Sequence, residues 1–199
     1  MHPGEIYHIY NHANGHENLF LEEKNYNFFL AKLSIYILPV CEVYAYCLMP
    51  NHFHLVAGVK DEEQLQKIFK KQEQVQPYAQ KELELKVSKS FSNLFSSYTQ
   101  AFNKEYKRMG SLFMPSMKWQ LIETDSSFCK VVHYTHANPV HHGFARKIDE
   151  WPHSSYLPLL STLPTKLKRG YVLELFGGIE PFKEYHKQAI DVKTKWMDE

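Results

Sequence analysis

Residues 5–12, EIYHIYNH, alternate in character and are rich in Ile and Tyr, which predicts a first strand running into a turn at Asn14-Gly15. Over 22–38 the apolar residues Phe28, Phe29, Leu33, Ile37 and Leu38 fall at helical spacing, and Pro39 ends the pattern because its ring removes a donor and crowds the preceding turn. Residues 40–48 and 52–59 read as two strands around a Pro50-Asn51 turn, hence an antiparallel hairpin. A helix is expected over 61–71 after an acidic start, whereas 72–89 is polar and shows no firm apolar stripe. Helical spacing resumes over 90–107, where Phe91, Leu94, Phe95, Tyr98, Phe102 and Tyr106 lie three or four apart and Gly110 closes the segment. KWQLIET at 118–124 reads as a fourth strand. The next helix, 126–137, starts at an Asp-Ser-Ser cap and is expected to stop before Asn138-Pro139. Pro and Gly punctuate the chain from 151 onward, with short helices expected near Leu173 and over 182–190. The order strand, helix, strand, strand, helix, strand, helix fits an α+β, ferredoxin-like antiparallel sheet with helices packed on one face.

Composition narrows the setting. A chain of 199 residues, 44% hydrophobic and 15% aromatic, is long enough to bury one real core. Its three cysteines include no CxxC pair and no apolar signal segment opens the sequence, so neither a disulfide framework nor export is expected and the expected location is cytoplasmic. The most apolar stretch, 35–43, is broken by Pro39 and Glu42 and is too short to span a bilayer, so no membrane partner is expected. A net charge of +1 excludes the broad basic field that drives non-specific duplex binding, and any nucleic-acid contact must use a local patch. Three patches qualify: Lys67, Lys70 and Lys71; Lys104, Lys107 and Arg108 with Tyr98, Phe102 and Tyr106 nearby; and Lys166, Lys168 and Arg169. Cations beside aromatic rings suit phosphates and unstacked bases together, although each patch alone also reads as a solvated helix face with core aromatics behind it.

Two constellations carry chemistry. Strand alternation puts His52 and His54 on one face and Phe53 on the other, so two imidazoles are presented together as candidate ligands for a divalent cation. Alone, an HxH triplet in a chain with 12 histidines is more often surface decoration or a satisfied structural pair than a metal site. The context is Tyr134 and Asn138, four residues apart and therefore on one helix face. A phenol can attack a phosphodiester covalently, a metal eases that attack by withdrawing charge from the phosphate oxygens, and the Asn138 amide oxygen could serve as a third ligand. Each has a plain structural reading as well, Asn138 as a helix-stop residue before Pro139 and Tyr134 as a buried aromatic.

The segments LMPNHFHLV at 48–56, YTHANPVHHG at 134–143 and WPHSSY at 151–156 closely resemble the REP-associated tyrosine transposases, part of the single-tyrosine His-hydrophobic-His family that also holds the small single-strand insertion-sequence transposases. YHIYNHANG at 7–15 and GSLF at 110–113 also resemble that family. The resemblance implies a transposase domain over 1–160, with 161–199 a C-terminal extension outside it, and a metal-dependent single-stranded DNA endonuclease and strand transferase. It implies magnesium or manganese held by His52 and His54, with Asn138 where the wider family often has Gln. It implies Tyr134 as the nucleophile, leaving a 5′-phosphotyrosine and a free 3′-hydroxyl on hairpin or palindromic DNA. Lys104, Tyr106, Lys107 and Arg108 are the candidate DNA contacts, and both monomers and homodimers occur in the family. A DNA-binding module of the same fold without cleavage, and a metal-dependent hydrolase using water, are the competing readings.

Overall fold

The computed structural model describes residues 1–70 and 76–189. Strands β1 (Ile6–His12), β2 (Cys41–Leu48), β3 (His52–Val59) and β4 (Lys118–Leu121) form one antiparallel sheet in the order β2-β3-β1-β4. Helices α1 (Glu23–Tyr36), α2 (Glu62–Phe69), α3 (Gln80–Glu105) and α4 (Asp125–His141) are followed by α5 (Tyr156–Leu160), α6 (Arg169–Leu175) and α7 (Ile179–Tyr185). The fold is the expected α+β, ferredoxin-like one. Among the described residues no helix is long and apolar enough to cross a membrane.

Every side chain of the central strand β3 is buried, because both faces of the sheet are covered. Phe53, Leu55, Ala57 and Val59 pack into one core with Phe29 and Leu33 of α1 and Phe91, Leu94 and Tyr98 of α3. The alternate positions meet a second layer, in which Val56 shares a cluster with Phe128, Val131 and Val132 of α4. Helices thus pack on one face as expected, and α4 with the C-terminal helices adds a layer on the other. Gly58 lies under Tyr44, whose hydroxyl would stand 2.8 Å from a Cβ there, so any side chain at that point would have to displace the Tyr44 ring. The Pro50-Asn51 turn is pinned by backbone bonds from Leu19 and Phe20 to the Pro50 carbonyl and from Ala13 to that of Asn51.

Several boundaries differ from the sequence expectation. α3 begins at Gln80 because Leu83 and Val87 continue the stripe of Phe91, Leu94, Tyr98 and Phe102; all six are buried, and the Glu and Lys residues between them mask the period. Lys71 and residues 72–75 lie outside the described residues, as does Ile190. The side chain that caps α4 is that of Thr124, which accepts from Ser127 N at 3.1 Å, and the Asp-Ser-Ser triplet forms the first turn. β4 accordingly stops at Leu121, short of the expected 124.

The largest correction concerns the end of α4. The helix runs through Asn138 and Pro139 to His141, and it stops at Gly143, whose φ of +74° suits glycine. Gly143 N donates to Val140 O and Phe144 N to Pro139 O, the paired bonds of a Schellman ending. Proline forfeits one bond to the preceding turn, and a glycine-based cap one turn later satisfies the terminal carbonyls. This extra turn carries Asn138 fully into the interior.

Candidate active site

His52 and His54 do share a face of β3, with their rings 5.1 Å apart and nearly perpendicular, and both are buried. Antiparallel pairing of β1 with β3 sets Tyr10 opposite His54 and His12 opposite His52, so His8, Tyr10 and His12 join them on that face. His8 Nε2 is 3.0 Å from His54 Nδ1, and the His12 ring stacks on that of His52 at 4.8 Å. α4 crosses this face with Tyr134 and Asn138 one turn apart and pointing down. Asn138 Oδ1 is 3.0 Å from His52 Nε2. The Tyr134 ring stands edge-on to His54 at 5.4 Å and to His8 at 5.9 Å, and it is only 4% exposed. The structure therefore brings all four predicted residues, His52, His54, Tyr134 and Asn138, into one cluster within a single chain.

The donor set has a definite electrostatic character. His52 faces an amide oxygen on each side, Asn51 Oδ1 at 2.9 Å from Nδ1 and Asn138 Oδ1 at 3.0 Å from Nε2. A neutral imidazole has one N–H, so with the amides oriented in this way it can donate to only one of these oxygens, and at the other contact lone pair meets lone pair unless a cation lies there. Two donor atoms each about 2.1 Å from a hard octahedral cation, and at right angles, are about 3.0 Å apart. His52 Nε2 and Asn138 Oδ1 match that edge. The match leaves Nδ1–H for Asn51, the outer hydrogen bond that orients a ligating imidazole. His54 can be arranged alike: if its Nδ1 carries the proton shared with His8, the lone pair falls on Nε2. The Asn138 amide nitrogen is buried with no hydrogen-bond partner among the described residues, so the site also has polarity to offer a phosphate or water oxygen. No three His, Cys, Asp or Glu among the described residues form a ready ligand cluster, so the Asn138 oxygen is needed to complete a shell. On these grounds the residues fit a magnesium- or manganese-type cation.

The other candidates are placed elsewhere. Lys104, Tyr106, Lys107 and Arg108 sit at the C-terminal end of α3, on the opposite side of the sheet from α4, with Lys104 and Lys107 exposed. Tyr106 donates its hydroxyl to Glu22 at 2.8 Å, and Arg108 pairs with Glu17 and donates to the carbonyls of Gly110 and Ser111. These contacts hold the turn that leads to Met114, whose N–H donates to His12 O at 2.9 Å. In the other patches Lys67 pairs with Glu63, Lys168 pairs with Glu42, and Arg169 donates to the carbonyls of Pro158 and Leu163. The residue that sequence reasoning missed is His8. Its signal was the period-2 set His8, Tyr10 and His12, which faces His52 and His54 only once β1 is paired with β3.

No protein-family model matches the chain, and no curated protein matches it. Among solved structures it is similar to a REP-associated tyrosine transposase bound to a REP hairpin, with a TM-score of 0.60 and 14% identity over 81% of this chain and 84% of that one. At that identity the likeness is one of fold.

Proposed function

We propose that this protein is a transposase-type enzyme that nicks and rejoins single-stranded DNA, acting on hairpin or palindromic substrates through a 5′-phosphotyrosine. The observation that carries the reading is the convergence of Tyr134 and Asn138 of α4 on His52 and His54 of β3. Its fold likeness to a hairpin-bound transposase supports the same substrate class. His52, His54 and Asn138 would hold a divalent cation, which when bound draws charge from the phosphate oxygens. Tyr134 supplies the nucleophile: its oxygen gives up its proton to solvent and bonds to phosphorus, the bond from phosphorus to the 3′-oxygen breaks, and that oxygen takes up a proton from solvent to leave as a hydroxyl. His8 holds the His54 ring, and the edge-on rings of His8 and His54 fix the Tyr134 ring. A cavity of about 380 Å³ lined by Tyr10, His12, Asn51, Met114 and Lys118 adjoins this edge and offers aromatic and cationic contacts to unpaired nucleotides. The test is incubation with hairpin oligonucleotides and manganese, followed by denaturing electrophoresis. Wild type should form a denaturant-resistant adduct, and Tyr134→Phe should lose it while still binding DNA. An adduct that persists in Tyr134→Phe, or peptide mapping that places the nucleotide on another tyrosine, would overturn the mechanism.

A further inference from the structure

α4 has a second functional-looking face. Tyr134 and Asn138 point to the sheet, whereas His133 and Val140 line a cavity of about 620 Å³ closed by Arg146, Lys147, Tyr156 and His186. That volume is within the range of small-molecule sites. Its floor is aromatic: Tyr156 and His186 rings lie 5.2 Å apart, and His133 meets His186 edge-on at 5.1 Å. Its rim is cationic. Among the described residues neither Arg146 nor Lys147 pairs its side chain with a carboxylate, while Lys187, also on the rim, is engaged by Glu184. The informative atom is His133 Nε2, itself closed to solvent and with no hydrogen-bond partner among the described residues, on a residue only 6% exposed. Burial holds this imidazole down to about 4, so it is neutral near pH 7 and can donate or accept. A buried polar atom of this kind is costly unless something meets it.

We propose that this pocket is a second binding site that takes one nucleotide unit, its phosphate against Arg146 and Lys147 and its base on the Tyr156 floor, with the His133 ring, whose Nε2 is closed to solvent as it stands, turning to bond a polar edge of the base. A stacking ring beside two cations is the combination that holds an unstacked nucleotide. Asp149, which shares the rim, repels a polyphosphate more strongly than a single phosphate. The same chemistry is presented by a free mononucleotide and by one residue of a DNA strand passing behind α4. The inference does not depend on Tyr134 chemistry.

Calorimetric titration of the full chain with deoxyadenosine 5′-monophosphate, and separately with a single-stranded deoxyadenosine octamer, tests it. Saturable mononucleotide binding that Val140→Trp abolishes identifies the free form, and octamer binding that Val140→Trp weakens, with no mononucleotide binding, identifies the strand. In either case Arg146→Ala with Lys147→Ala should weaken binding about ten-fold, as losing charge-assisted bonds does. His133→Phe should weaken it comparably. Val140→Trp blocks the cavity while keeping every polar group, and serves if His133→Phe fails to fold. Tyr134→Phe should leave mononucleotide binding unchanged, which separates this site from the catalytic proposal. Absence of saturable binding by both probes overturns the inference. So does binding that responds to the cation changes but not to His133→Phe or Val140→Trp, because that would be surface charge and not a pocket.

Discussion

Replacing His8 by Phe keeps a ring of similar size in a fully buried position and removes the nitrogen that lies 3.0 Å from His54 Nδ1. His54 Nδ1 then loses its hydrogen-bond partner in a setting closed to solvent. Leaving a buried donor unsatisfied costs about 1–3 kcal/mol. For a chain of this length, roughly 2–4 °C per kcal/mol, the melting temperature should fall by about 2–12 °C. A purely structural role would give the same fall, so the deciding measurement is manganese affinity by calorimetry. Metal binding at His54 Nε2 requires the tautomer in which Nδ1 donates to His8, and loss of such an outer-sphere partner weakens metal binding about 10- to 100-fold. His8→Gln carries an amide oxygen to nearly the place of the lost nitrogen and should recover most of that affinity. If manganese binds His8→Phe as tightly as wild type, or if the Gln variant recovers stability without recovering affinity, His8 does not orient His54 and the tautomer argument fails.

Three further outcomes follow from the same structure. Burial lowers His133 to about 4 and His186 to about 3, so below an unfolded value of 6.5 the unfolded chain binds protons that the folded chain refuses. The stability owed to the neutral rings is complete above 6.5 and falls by up to about 1.4 kcal/mol per pH unit for each ring as pH drops towards the folded values; melting at about pH 5.5 should therefore be lower than at about pH 7.5, less so in His133→Phe, and equal melting at both would count against it. Because Tyr134 and His54 meet within one chain, mixing Tyr134→Phe with His52→Ala should recover no cleavage in an adduct assay, and recovery would show a shared site. Leu83→Ala removes a fully buried side chain from the stripe of α3 and should cost about 2–5 kcal/mol in chemical denaturation, whereas a loss near zero would mean that the first turns of α3 are not packed.

The local periods carried a large part of this protein in plain sight. Alternation over 52–59 places His52 and His54 together and Phe53 opposite them whatever the rest of the chain does, because successive side chains of a strand point to opposite faces. Four-residue spacing likewise puts Tyr134 and Asn138 on one face of any helix that spans both. The failures have a common cause. Whether a helix outlasts Pro139 depends on whether the lost bond is outweighed by packing and by the Gly143 ending, and the packing partners lie outside the local window, from Ser155 and His186 for His136 to His52, 86 residues away, for Asn138. Lys and Glu dilute the stripe over 80–89, and only the core it faces reveals Leu83 and Val87 as its members. His8 could be read as one of three polar or aromatic positions on a strand, but its contact with His54 required the β1–β3 register, and register comes from the fit of two faces at once. The cavity behind α4 is further still from the sequence, since it joins side chains of α4, the segment that follows it, Tyr156 at the start of α5, and the residues just after α7. Local geometry is written in short-range spacing, whereas opposition of faces, burial of a polar atom and closure of a pocket arise only when distant segments compete for the same space.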